Sequence, residues 1–89
     1  MTAMPEVQSL YWLDTTVLPA VDPEPSRLAV VLHLPAAVTG TITVAVRAGA
    51  GEFSRLVPVQ GSLWPAAVVA TAGRLDDATF AAVQARFAR

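Results

Sequence analysis

The sequence predicts a mainly β fold with one C-terminal helix, a small SH3-like barrel of about five strands closed by an α-helix. Three observations lead there. Short runs of β-branched and aromatic residues recur along residues 7–71, and Pro- and Gly-rich turns separate them. After residue 75 the apolar period lengthens to that of a helix. A chain of 89 residues holds one core, so residues 1–89 are read as a single domain.

VQSLYWLD (7–14) reads as the first strand, closed by Asp14. VLPAVDPEPS (17–26) follows, with Pro19, Pro23 and Pro25 among the acids Asp22 and Glu24; it is expected to be an exposed loop. RLAVVLHL (27–34) is almost continuously apolar, the pattern of a strand covered on both faces. PAAVTG then turns the chain into TITVAVRA (41–48), where alternation is clear. Thr41, Thr43, Ala45 and Arg47 share one face, and Ile42, Val44, Val46 and Ala48 the other. GAGE (49–52) is a turn. FSRLVPV (53–59) is a fourth strand that Pro58 confines to an edge or a bulge. QGSLWP is a further turn, and AAVVAT (66–71) a short last strand.

The helix is expected over 76–88, with Phe80, Val83 and Phe87 at i, i+3 and i+7. Asp76 is its N-cap, and Leu75 and Phe80 form a hydrophobic staple across that cap. Asp77 complements the positive end of the helix dipole, Arg86 and Arg89 the negative end. The two adjacent carboxylates are therefore read as capping groups and not as an acid–base pair.

Composition excludes several chemistries. There is no cysteine, hence no disulfide, thiolate chemistry or ordinary structural zinc site. His33 is the single histidine, which excludes a histidine cage, and neither metal nor cofactor is expected. Walker, GxGxxG, HExxH and EF-hand patterns are absent. The six basic residues are all arginine, and the net charge of −1 lacks the basic surplus of a non-specific nucleic-acid binder. No DNA binding is expected of this chain alone. MTAMPEVQSL has neither the basic start nor the apolar stretch of a signal peptide, and Pro35 and Gly40 interrupt the uncharged run 28–46. A soluble cytoplasmic protein is the expectation. With 54% apolar residues in so small a body, part of the apolar surface is expected in a dimer or partner interface.

Three segments together resemble the MazF/PemK family of toxin endoribonucleases. SLYWLD (9–14) is similar to the family's first strand, in which an aliphatic pair leads to Trp and Asp. SRLAVVLH (26–33) is similar to its Arg-Pro-Ala-Val-Val-Leu-Ser segment, and GRLDDATFAAVQARF (73–87) to its closing helix. Order and spacing agree along nearly the whole chain. The resemblance implies a homodimeric SH3-like barrel, the toxin of a type II toxin–antitoxin system, whose partners are single-stranded RNA and a cognate antitoxin peptide. It implies metal-independent cleavage, the 2′-hydroxyl attacking the adjacent phosphate to leave a 2′,3′-cyclic phosphate and a free 5′-hydroxyl.

Carried over by position, the family's catalytic arginine falls on Arg27, where it would stabilise the phosphate and assist proton transfer. The neighbouring proline is here Leu28. The family's second functional residue is a threonine at the end of the third strand; VAVRAGAG (44–51) has no hydroxyl, and Arg47 or Ala48 stands in its place. The later Asp-Gln-basic signature is replaced by ATAG (70–73). Arg47 is the candidate second phosphate contact, and Trp12, beside Tyr11, a candidate platform for an RNA base. Structural roles stand beside these: Arg27 as a charge at the mouth of a strand, Arg47 as a solvated strand end, Trp12 as core or interface. His33 lies six residues from Arg27, roughly 20 Å in extended chain, too far to share one phosphate. The missing threonine leaves a catalytically silent binding module as the alternative to an active toxin, and an unrelated SH3-like adaptor as the third reading.

Overall fold

A computed structural model of the chain describes residues 4–18, 26–37, 40–47 and 51–87. Five strands form one antiparallel sheet: β1 (Ser9–Leu13), β2 (Arg27–His33), β3 (Thr41–Arg47), β4 (Phe53–Gln60) and β5 (Val68–Arg74). A one-turn helix, α1 (Trp64–Ala67), precedes β5, and α2 (Asp77–Phe87) ends the described chain. The mainly β class with a C-terminal helix is thus the observed one. Strand order is β4-β3-β2-β1-β5. Among the described residues no ladder joins β4 to β5, so the sheet has two edges and its hydrogen bonds do not close a barrel.

Alternation sends each strand's side chains to two different cores. Tyr11, Leu13, Ala29, Val31, Val44, Val46, Val57 and Val59 meet Trp64 and Ala67 on one side. Val30, Ala45 and Phe53 meet Phe80 and Val83 of α2 on the other. β2 feeds both: Ala29, Val30 and Val31 are all at most 1% exposed. This is the covering on both faces that its unbroken apolar run predicts.

The sheet edges are managed by different means. Pro58 lies opposite Thr43 on β4, an edge strand, where its missing N–H leaves no donor for another chain. β5 breaks register twice against β1, between Leu10 and Tyr11 and between Trp12 and Leu13, and Gly73 has φ +103°. That backbone conformation suits glycine and strains any residue with a Cβ.

The last strand differs from its sequence expectation. Ala66 and Ala67 belong to α1, and β5 runs from Val68 to Arg74 instead of 66–71. Pro65 in the first turn favours helix there, since its lost N–H is one that no helix start would use. Trp64 anchors the turn in the core, its ring edge-on to Tyr11 at 5.0 Å and 83°. A 3-10 turn, Thr15–Val17, leads into the loop expected at 17–26, its N-cap Asp14 accepting the Thr16 N–H at 3.0 Å; Leu18, expected in the exposed loop, is buried. Residues 19–25, with Asp22 and Glu24, lie outside the described residues.

The start of α2 is built as its sequence predicts. Asp76 accepts the Thr79 N–H at 3.1 Å and the Thr79 hydroxyl at 2.6 Å. Leu75 and Phe80 lie in the same apolar cluster. Gln8 ties this corner to β1. Its side-chain amide donates to the Leu75 carbonyl and to Asp77 Oδ1, both at 2.8 Å, and its carbonyl accepts from Arg74 Nη2 at 3.2 Å.

Candidate functional site

Arg27 opens β2, opposite Leu13 of β1, with only 6% of its surface exposed. Two-residue alternation puts it on the side of Ala29 and Val31, the core that contains Trp64. A cation in that position is an integral part of the interior and presents little surface to a phosphate.

Arg47 ends β3 on the opposite side. The β2–β3 ladder pairs Ala29 with Val46, and one further step of that register sets Arg47 beside Leu28, out of step with Arg27. Of the two positions that could stand for the family's threonine, Arg47 is therefore across the sheet from Arg27, and Ala48 lies outside the described residues. Arg47 is half-buried, and its Nε is enclosed with no hydrogen-bond partner among the described residues.

Trp12, paired with Leu28, occupies the same side as Arg47 and is 36% exposed. Two strand spacings, about 10 Å, separate the Trp12 and Arg47 backbones. The structure thus brings two of the three candidate residues to one side of the sheet and leaves Arg27 on the other. Tyr11 is a core residue. Its hydroxyl donates to the Met4 carbonyl at 3.1 Å and accepts the Glu6 N–H at 3.0 Å, so its ring offers no platform. His33 is exposed at the far end of β2.

Arg47 borders a cleft of about 260 Å³ between α2 and the start of β4, lined also by Glu52, Phe53, Thr79, Val83 and Arg86. Arg86 Nη2 holds Glu52 Oε2 at 2.7 Å across its mouth, both side chains being partly in solvent. Sequence reading assigns Arg86 only to the helix dipole and gives Glu52 no role. The two are 34 residues apart and meet only when α2 lies across the sheet. Nothing local in the sequence signals that meeting. A second, apolar pocket of about 310 Å³ sits at the opposite end, lined by Met4, Pro5, Leu34, Pro35, Ile42 and Trp64 among others.

Among the described residues no group of three or more His, Asp or Glu side chains could hold a metal ion. No helix there is long and apolar enough to cross a membrane. The charged equipment is guanidinium, with Glu52 the one carboxylate in the cleft, and its chemistry is that of anion binding.

No family model, curated protein or solved structure matches this chain.

Proposed function

We propose that the chain is a MazF/PemK-like domain, the cytoplasmic toxin of a type II toxin–antitoxin pair, acting as a homodimer that cleaves single-stranded RNA without a metal. The observation that carries this reading is the ordered match of residues 9–14, 26–33 and 73–87 to the family's first strand, arginine strand and closing helix. In it, Arg27 stabilises the charge of the pentacovalent phosphate, which a planar guanidinium does through two parallel hydrogen bonds. Arg47 and Trp12 contact the flanking strand, one at a phosphate and the other under a base.

A second reading has its own observation. Arg27 is buried and Arg47 faces the opposite side, so within one subunit the two guanidiniums cannot grip one phosphate. The third strand also ends without the hydroxyl. These favour a catalytically silent member that keeps the fold and binds an antitoxin-like peptide.

Cleavage of a long mixed-sequence RNA in EDTA separates the two. The active reading expects defined fragments ending in 2′,3′-cyclic phosphate, abolished in Arg27→Ala and weakened in Arg47→Ala. Intact RNA after incubation with folded protein would sink it and leave the binding module.

A further inference from the structure

We propose that the cleft between α2 and the start of β4 is a binding site for a small monocarboxylate carrying a short apolar stem. The cleft shares Arg47 with the proposed RNA contact, but a carboxylate can bind there whether or not the chain cleaves RNA.

Its first support is Arg47. A guanidinium has five N–H donors and is always charged, so half-burying it without an acceptor is costly. The Arg47 Nε has that status among the described residues, and the same side chain borders an open cleft. An anion in the cleft would lie against the side chain of this guanidinium and balance its charge, while Nε stays enclosed.

The second support is Arg86, on the facing wall. Its present partner is the carboxylate of Glu52, whose side chain is 77% exposed. So exposed a pair is weakly held and easily exchanged. Glu52 therefore occupies Arg86 as a ligand carboxylate would, on a side chain free to swing into water.

Charge and lining select the ligand class. Two arginines and one glutamate give the cleft a net +1, which balances a monoanion and leaves a dianion in excess. Phe53 and Val83 offer apolar surface to a stem of a few carbons, and the volume matches a fragment-sized ligand.

The test is amide-resolved titration of the full chain with butyrate, beside butyramide and inorganic phosphate. Saturable shifts are expected at Arg47, Phe53, Val83 and Arg86, with a dissociation constant on the order of millimolar, as suits so few ligand atoms. Arg47→Gln should weaken butyrate at least tenfold. Arg55→Gln, the same charge change on β4 outside the cleft lining, should leave it unchanged. Glu52→Gln should tighten it several-fold by releasing Arg86. Thermal melts of each variant establish folding. The proposal fails if butyrate shifts do not saturate, or if Arg55→Gln weakens binding as much as Arg47→Gln. It fails equally if butyramide binds as well, or if phosphate binds more tightly in the same cleft.

Discussion

Arg27 and Arg47 carry the same charge into opposite surroundings. One is enclosed with Ala29 and Val31; the other borders a cleft, its Nε without an acceptor among the described residues. A run of apolar letters around an arginine does not reveal this, because burial is decided by what the neighbouring strands bring against it. Asp76 is the contrasting case, a residue whose role is fixed within three positions. The Thr79 hydroxyl and then the Thr79 N–H donate to its carboxylate and hold its pKa below the ordinary aspartate value. A depressed folded pKa means stability that is complete above the unfolded value, about 3.9, and lost as pH falls through the lower folded one. The melting-temperature difference between the protein and Asp76→Asn should therefore be constant from pH 7 to 5 and decline below about pH 4. A difference that stays level down to pH 2.5 would show that Asp76 does not contribute through its charge.

Elements whose signals are local were legible, and those settled by long-range contact were not. The position and cap of α2 follow from period and N-cap chemistry, and β2 and β3 from continuous and alternating apolar residues. α1 is missed because Trp-Pro-Ala-Ala reads as a turn until Trp64 has a core to enter. The expected last strand stops at residue 71, whereas β5 runs on to Arg74 through register breaks against β1. Of the candidate site, the side of the sheet on which Arg47 lies was legible from alternation. The Arg86–Glu52 wall of the cleft was not. Gln8 is the clearest residue that local reading overlooks. It sits at φ +76° and joins β1 to the start of α2 through Leu75, Asp77 and Arg74. Gln8→Ala leaves these groups without their buried partner and should cost about 1–3 kcal/mol by urea unfolding. A cost below about 0.5 kcal/mol would mean that water replaces the amide and the corner is held by the staple alone.

At the scale of the molecule, one sheet separates two apolar clusters, and neither is complete without it. Ala29 and Val31 serve the cluster around Trp64 while Val30, between them, serves the cluster under α2. A strand that supplies both sides couples them: loosening α2 removes packing from Val30 and so weakens the platform on which Tyr11 and Trp64 rest. Val83, 7% exposed, is the place to test this from the helix side. Val83→Ala removes two methyl groups from a packed interface, a loss of about 2 kcal/mol. At roughly 4–8 °C per kcal/mol for a domain of this size, the melting temperature should fall by about 10 °C. The informative comparison is between probes. Far-UV ellipticity includes α2, whereas Trp64 fluorescence, isolated in a Trp12→Phe background, reports the opposite cluster. If the sheet transmits the defect, both transitions move down together and remain superimposable, as one cooperative unit requires. If the Trp64 transition stays where it was while ellipticity falls early, α2 is a separable layer. The cleft it forms with β4 would then open without disturbing the core that encloses Arg27.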